Sequence, residues 1–301
     1  MENAKIIAPV VTIFNEEEKP DYEGNKKVIE FLIQGGLDGI LVLGSAGEFP
    51  DLNEQERLNF FRFYAEQVNG RVELLAGTGC ISYADTLTLS NAVYDLGYIP
   101  MVISPYYFEL DQEKLFVYYD RLAKDVKGNL YLYNFPPRTG HSIAPETIRR
   151  LIDANPNIIG LKDSVATPGH TNMVCRAVDG KPFTVYSGFD DQFLSNIANN
   201  GGGGCIGALS IIVPEIWSDL VRAANGRDFD RTFALFHLIQ KLMPIYDMDT
   251  NCSLILKKLL VHRGLKISDR AVCPFNQMDS DIYQRAADLL DGVLNEYRSM
   301  N

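Results

Sequence analysis

The sequence has no long apolar segment, and it has few residues of the kinds that form disulfides or bind metals. None of its apolar runs approaches the ~20 residues that a membrane-spanning helix requires. The five cysteines are odd in number and never occur in Cys-x-x-Cys spacing, so neither a disulfide framework nor a zinc site is indicated. The four histidines are scattered without metal-ligand spacing. We therefore expect a reduced, cytoplasmic protein with no bound metal.

Basic residues are also scarce. The chain has 28 Lys and Arg against 39 Asp and Glu, a net charge of −11, and no basic run. This charge pattern argues against nucleic acid or an anionic membrane as partner, although a few local cations would still suffice to bind a small anionic substrate. The first residues lack a basic stretch and the apolar run after them contains Pro9, so we expect a first strand there and no signal peptide.

Short apolar segments alternate with amphipathic helical segments eight times, at intervals of roughly 20 to 35 residues, which is typical of a (β/α)8 barrel. No linker or low-complexity tract interrupts the pattern. The predicted strands are residues 6–14, 39–43, 73–79, 99–104, 130–134, 157–164, 183–187 and 205–209. We assign residues 1–225 to the barrel. Three further helices, near residues 229–246, 254–262 and 281–297, predict a C-terminal helical extension, 226–301, packed on the barrel.

The segment that ends near Lys162 is the most informative. Residues 157–164 are apolar on both faces, as in a buried parallel strand, and Lys162 stands near its C-terminal end with Gly160 on the same face. An ammonium group among apolar neighbours loses hydration, which favours the neutral, nucleophilic amine. The alternative is a lysine that leaves the strand and extends to water beside Asp163.

In such a barrel the active site lies at the C-terminal ends of the strands. Tyr133 ends the strand before that of Lys162, so the two side chains lie together if that face points inward. A phenol beside an amine is a suitable acid-base partner, although a tyrosine there is also an ordinary core residue. The other residues expected at this end are Ser45, Glu48, Tyr106, Tyr107, Arg138, Gly188, Ile206 and Gly207.

Two loops offer groups that bind carboxylates. The turn from Gly44 to Gly47 presents successive backbone N–H groups, although such turns are common after strands. Arg138 offers a guanidinium to a carboxylate or a hydroxyl, or it is a solvated loop residue. The glycines at 202, 204 and 207 match the spacing of a dinucleotide-binding loop, but they follow a predicted helix and precede a predicted strand, so no such cofactor is expected.

Taken together, these motifs resemble the dihydrodipicolinate synthase / N-acetylneuraminate lyase superfamily of class I pyruvate-type aldolases. The resemblance runs from the first strand to the last helices, and it implies that Lys162 forms a Schiff base with pyruvate or another 2-oxo acid, without a cofactor. It implies Tyr133 as proton carrier, and Ser45 as a link to Tyr107 from a neighbouring subunit, hence a homodimer or tetramer. The substrate contacts it implies are Ala46, Arg138, Gly188 and Ile206. The motifs are Gly44-Ser45-Ala46-Gly47-Glu48, Pro105-Tyr106-Tyr107, Tyr133-Asn134-x-Pro136 with Arg138-Thr139-Gly140, Gly160-Leu161-Lys162-Asp163 and Ser187-Gly188.

The motifs differ in the branch that they favour. Segments 43–49, 133–136 and 188–191 are closest to the branch that cleaves 2-keto-3-deoxy sugar acids to pyruvate and an aldehyde, and this is the function we expect. Arg138 instead resembles the synthase branch, where it holds aspartate semialdehyde, but Ala46 replaces a threonine usual there and Ile81 an asparagine of lysine-sensing members. The synthase is the alternative. A third possibility is a non-catalytic sugar-acid-binding barrel. The intact set of Lys162, Tyr133 and Ser45 argues against it.

Overall fold

Eight strands follow one another in chain order around a closed parallel barrel, which confirms the predicted fold. The structure is a computed structural model that describes residues 3–249 and 252–300. The strands are Lys5–Pro9 (β1), Gly39–Val42 (β2), Glu73–Gly77 (β3), Ile99–Ile103 (β4), Leu130–Asn134 (β5), Ile158–Asp163 (β6), Thr184–Ser187 (β7) and Gly202–Cys205 (β8).

Helices alternate with the strands and continue beyond the last one. They are Tyr22–Gln34 (α1), Glu54–Val68 (α2), Tyr83–Tyr94 (α3), Gln112–Asp125 (α4), Pro136–Thr139 (α5), Pro145–Ala154 (α6), Pro168–Ala177 (α7), Phe193–Ile197 (α8), Pro214–Asn225 (α9), Phe229–Leu242 (α10), Cys252–His262 (α11) and Ser280–Ser299 (α12). In the part of the chain that the structure describes, no helix combines the length and the apolar character needed to cross a membrane.

The α4 helix illustrates how the sequence produces these elements. The carboxylate of Asp111 accepts a hydrogen bond from the amide of Lys114 at 2.8 Å, which caps the N-terminus of the helix. Leu115, Tyr119 and Leu122, spaced four and three residues apart, are buried on one face of the helix. They belong to the apolar cluster that also contains buried side chains of β4, β5 and β6, so this face anchors the helix to the strands that carry the candidate site.

The last strand lies earlier in the chain than its predicted position of 205–209. Gly202–Cys205 forms β8, and Ala208–Ile211 is a 3-10 turn. A Cβ atom on Gly204 would lie 2.0 Å from the carbonyl oxygen of Lys5, and one on Gly203 would lie 2.3 Å from Cγ2 of Thr184. Atoms of Lys5 and Thr184 therefore lie too close to this strand for it to carry side chains. A strand of glycines has no apolar pattern from which it could be predicted.

The chain divides into two compact units. The first consists of Glu54–Arg62, Leu74–Ile206 and the first residues of the chain, and the second of Ile6–Asn53, Phe63–Glu73 and Gly207–Asn301. The helices expected after residue 225 are present as α10, α11 and α12, all in the second unit. That residues 226–301 form a separate extension stays a prediction.

Candidate active site

Lys162 lies near the C-terminal end of β6, where the neighbouring strands hold it between two tyrosines. Its Cα is in register with Tyr133 of β5 on one side and with Tyr186 of β7 on the other. Although lysine normally extends to water, this side chain is only 4% exposed. The amine therefore stays inside the protein, as the strand pattern predicted.

Tyr133 is an aromatic neighbour of that amine. The Nζ atom of Lys162 lies 4.8 Å from the centroid of the Tyr133 ring, and Tyr133 is likewise 4% exposed. At this separation the ring face interacts favourably with a cationic amine, and the phenol lies within the same water-poor environment. The structure thus brings together the two residues that the sequence analysis placed side by side, and their chemical roles stay predictions.

A glycine below the lysine is required by packing. A Cβ atom on Gly160 would lie 2.2 Å from Cε1 of Tyr131 and 2.6 Å from the carbonyl oxygen of Thr184. The Tyr131 ring occupies the space that a side chain at position 160 would need. It also lies beside the ring of Tyr186, with centroids 6.1 Å apart. Aromatic rings therefore fill the layer of the strands beneath Lys162.

Arg138 stands at the exposed end of a row of side chains that begins at Tyr133. The Tyr133 and Phe135 rings are stacked, with centroids 5.8 Å apart and planes inclined by 23°. The Cζ atom of Arg138 lies 5.9 Å from the Phe135 centroid, and Arg138 is exposed. Its side chain therefore lies at the surface of the protein, and its contact with a substrate stays a prediction.

Gly188 and Ile206 owe their positions to close backbone packing. The amide of Gly188 donates to the carbonyl of Asp163 at 2.8 Å, and a Cβ atom on Gly188 would lie 1.9 Å from Oγ of Ser164. The amide of Ile206 donates to the carbonyl of Ser187 at 2.9 Å. Both residues thus continue the backbone hydrogen bonding between strands beyond the C-terminal ends of β7 and β8. Lys162 lies near the same end of β6.

Tyr107 points outward. Its side chain is 75% exposed, and its ring meets that of Phe108 edge to face with centroids 5.0 Å apart. This exposure is compatible with the predicted insertion into a neighbouring subunit, which stays a prediction.

Ser45 and Ala46 belong to the second unit, where Ser45–Gly47 forms a 3-10 turn directly after β2. The amide of Gly47 donates to the carbonyl of Gly44 at 3.0 Å, which closes the turn. The predicted carboxylate-binding turn therefore exists as a folded structure. Its binding of a carboxylate stays a prediction.

A polar network that the strand pattern does not predict lies beside Lys162, around Asp163. The carboxylate of Asp163, fully buried, accepts hydrogen bonds from Asn134 Nδ2 at 2.8 Å and Thr171 Oγ1 at 2.7 Å, and Oδ2 lies 2.9 Å from Nδ1 of His170. Asn134 and Asp163 are in register at the ends of β5 and β6. Two polar residues ending neighbouring strands were the signal that could have predicted this contact. The network ties the end of β5 and the α7 helix to Asp163, the residue that follows the lysine.

His170 gives this network a pH-dependent stability. Burial alone would lower the pKa of His170, but the hydrogen bond and the negative charge of Asp163 outweigh burial and raise the pKa above 6.5. A histidine whose pKa rises on folding stabilises the fold fully below its unfolded pKa, and this contribution is lost as pH rises through the folded pKa. The contribution of His170 therefore disappears in the range above pH 6.5.

We expect the free energy of unfolding lost in His170→Gln to shrink between about pH 6 and about pH 9. Denaturant titrations of wild type and variant at both pH values measure it. In an Asp163→Asn background, the same replacement should cost equal amounts at both pH values, because the carboxylate that raises the pKa is gone. A loss that grows with pH would contradict this account of the pair.

The buried cysteines Cys175 and Cys205 are poor candidates for a nucleophile. Burial raises the pKa of Cys205 well above its ordinary value and that of Cys175 to about 11. Both thiols therefore stay protonated near neutral pH, and only the thiolate is a strong nucleophile. Within residues 3–249 and 252–300, no three His, Cys, Asp or Glu side chains are grouped as metal ligands.

Comparison with known proteins supports the motif-based resemblance. A sequence model of the Dihydrodipicolinate synthetase family matches residues 2–292. The putative 2-dehydro-3-deoxy-D-gluconate aldolase YagE of Escherichia coli (strain K12) is 33% identical over 277 residues, 91% of each chain. The crystal structure of YagE in complex with pyruvate has a TM-score of 0.93 and 31% identity, and the match covers 98% of this chain and 99% of that one.

Two further relatives carry different names. The probable 2-dehydro-3-deoxy-D-pentonate aldolase YjhH of the same strain is 31% identical over 294 residues, 96% of this chain and 97% of that protein. The 4-hydroxy-tetrahydrodipicolinate synthase of Kosmotoga olearia is 33% identical over 245 residues, 80% of this chain and 82% of that protein. The resemblance predicted from the motifs is confirmed, and both predicted branches are represented among the relatives.

Proposed function

Because the chain belongs to the dihydrodipicolinate synthetase family, we propose that it reversibly cleaves a 2-keto-3-deoxy sugar acid to pyruvate and an aldehyde through a Schiff base on Lys162. Membership confirms the prediction of a lyase of this type. The observation that carries the proposal is the amine of Lys162, 4% exposed and 4.8 Å from the Tyr133 ring centroid at the end of a barrel strand. The names of YagE and YjhH support the substrate class.

The first step forms the covalent intermediate. The amine of Lys162 attacks the C2 carbonyl carbon of the sugar acid and a C–N bond forms. The carbonyl oxygen leaves as water with one proton from the amine and one from the phenol of Tyr133, which becomes a phenolate. The iminium that results withdraws electrons from C3.

The second step breaks the C3–C4 bond. The phenolate oxygen of Tyr133 accepts the proton of the C4 hydroxyl, the C4 oxygen becomes the carbonyl of the aldehyde, and the bonding electrons pass to the iminium to give an enamine. The Tyr133 phenol then protonates the enamine at C3, and water adds to the iminium to release pyruvate and regenerate the amine, with one proton returned to Tyr133. No oxidant or further cofactor is required, and the same steps in reverse form the bond.

Arg138 bears on the choice between the two branches. In the synthase reaction the incoming aldehyde carries a carboxylate, which a guanidinium can hold with two charge-assisted hydrogen bonds. In the aldolase reaction the aldehyde carries hydroxyl groups, which accept weaker neutral hydrogen bonds that other donors can replace. Exposure of Arg138 and its stacking beside Phe135 are compatible with either substrate.

We expect Arg138→Leu to lower kcat/KM for 2-keto-3-deoxygluconate by several-fold at most. Hydrogen bonds to charged groups contribute about 1.5–3 kcal/mol, so a synthase would instead lose roughly ten- to a hundredfold or more with aspartate semialdehyde. Arg150 is a matched control, because it is also an arginine beside a phenylalanine ring, with its Cζ 4.3 Å from the Phe116 centroid. Efficient turnover of aspartate semialdehyde by wild type, lost in Arg138→Leu and kept in Arg150→Leu, would establish the synthase instead.

The assembly of the protein follows from the same proposal. Tyr107, 75% exposed, reaches into the site of a neighbouring subunit, so the active protein is at least a homodimer. The proposed location of the protein is the cytoplasm. Analytical ultracentrifugation of wild type tests the dimer. Mixing two inactive variants, one altered at Tyr107 and one at Lys162, tests the shared site: activity returns in mixed dimers if Tyr107 acts across the interface.

The direct test of the proposed reaction is a screen for products. Purified protein is incubated with pyruvate and each of a set of hydroxyaldehydes, and the masses of the condensation products are recorded. A 2-keto-3-deoxy sugar acid is the expected product. A non-catalytic binding barrel would bind the sugar acid without releasing pyruvate, and a synthase would condense only aspartate semialdehyde.

A further inference from the structure

The turn that carries Ser45 and Ala46 ends in an unusual conformation. The amide of Glu48 donates to the carbonyl of Ser45 at 3.2 Å, and Glu48 adopts the left-handed region with φ of 52°. A non-glycine residue there is uncommon and needs support from its surroundings. Ala46, in the middle of this turn, is buried.

The α11 helix holds this turn at two points. The hydroxyl of Ser253 donates to the carbonyl of Ala46 at 3.0 Å. Lys257 lies one helical turn further on, on the same face, and its ammonium group donates to Oε2 of Glu48 and to the carbonyl of Arg270. One face of a helix therefore fixes both the middle and the end of the turn.

The rest of the turn is held from the segment after β1. The hydroxyl of Thr12 donates to the carbonyl of Gly47 at 2.6 Å, and the Nζ atom of Lys257 lies 4.6 Å from the centroid of the Phe14 ring. Lys257 is fully buried and Glu48 is 3% exposed. Burial opposes both charges, since it raises the pKa of Glu48 and lowers that of Lys257, and the attraction between the two side chains acts against this effect.

We propose that Ser253 and the buried Lys257–Glu48 ion pair are positioning residues that hold the backbone at Ser45 and Ala46 in the geometry that binds the carboxylate of pyruvate. This inference rests on the proposed function, in which Lys162 reacts with pyruvate. A buried ion pair contributes little net stability compared with apolar residues of similar size, whereas it fixes one geometry. Here that geometry is the direction of the Ala46 amide. This direction determines how strongly the site selects 2-oxo acids over other ketones.

The test compares pyruvate with methyl pyruvate, which has the same ketone but no free carboxylate. The rate of borohydride-trapped adduct formation on Lys162 is measured for each compound, and their ratio reports carboxylate recognition alone. We expect the ratio to fall about tenfold in Lys257→Met, equivalent to ~1.4 kcal/mol, and by several-fold in Ser253→Ala. Trapping of methyl pyruvate should stay within about twofold of wild type, because its reaction does not use the turn.

Two further variants separate positioning from stability. Lys258→Met is the matched control, because Lys258 is the next residue of α11 and pairs with Asp269 at 2.9 Å near the surface, and its ratio should equal that of wild type. Glu48→Met/Lys257→Met replaces the ion pair by apolar side chains of similar length. It should fold, since such replacements are often neutral or stabilising, while its ratio stays low. If Lys257→Met does not fold, this variant and Ser253→Ala carry the test.

An unchanged ratio in folded Ser253→Ala and in the double variant would overturn the inference and leave the proposed function intact. Equal losses with both compounds would also overturn it, because they would indicate general damage to the fold. If wild type forms no adduct with pyruvate, the proposed function fails and the inference fails with it.

Discussion

Replacement of Lys162 by alanine is expected to reduce kcat/KM for the sugar acid by roughly 10⁴-fold or more. The amine supplies the covalent bond to the substrate and, as the iminium, accepts the electrons of the broken C–C bond, so its removal eliminates the whole route. Steady-state assays of pyruvate release measure the loss. Lys181→Ala is the control, because this lysine lies in the same unit, is partly exposed and pairs with Asp153.

Loss of activity in Lys162→Ala must be distinguished from loss of structure, because Lys162 is buried. Lys162→Met keeps most of the side-chain volume and removes the amine, so it should fold like wild type and be equally inactive. Retention of substantial activity by either variant would show that Lys162 is not the nucleophile and that the account of the site is wrong.

The second large effect is expected for Tyr133→Phe, which should lower kcat by about 10²–10⁴-fold. The replacement keeps the ring that stacks on Phe135 with centroids 5.8 Å apart, so packing is preserved and only the hydroxyl is lost. The Schiff base should still form, because Lys162 is intact and solvent can supply the proton that Tyr133 donates in the wild type. The variant should therefore be trapped by borohydride with pyruvate while it turns over the sugar acid poorly.

Tyr131→Phe is the matched control for this prediction. Tyr131 lies two residues earlier on the same face of β5, where its ring meets Tyr186 with centroids 6.1 Å apart. Its hydroxyl has no part in the proposed reaction, so kcat should stay within about threefold of wild type, since a change that leaves the reacting groups intact has little effect on the barrier. A loss below about tenfold in Tyr133→Phe would indicate that Tyr133 is a packing residue only.

The barrel and the core of the site were predictable because both follow from strand pattern. Parallel strands covered on both faces are apolar throughout, so a lysine at the end of such a strand is conspicuous in the sequence. The alternation of side chains along a strand then placed Tyr133 and Lys162 on one face, and register pairing in the structure agrees. The β8 strand escaped prediction because Gly202, Gly203 and Gly204 have no side chains from which to read a pattern.

The supports of the site could not be predicted in the same way. Glu48 and Lys257 are 209 residues apart in the chain, and nothing in either local segment indicates the other. A lysine and a glutamate in sequence are ordinarily surface residues, and only the packing of α11 identifies this pair as buried. Partners that are distant in sequence depend on how elements pack, which local pattern does not specify.

The measurement that tests the central claim most directly is reductive trapping of Lys162. The protein is incubated with pyruvate and sodium borohydride, digested, and analysed by mass spectrometry. We expect the mass of one reduced pyruvyl group on the peptide that contains Lys162, and none in Lys162→Met. An adduct on a different lysine, or no adduct under conditions in which the protein turns over its substrate, would contradict the proposed mechanism.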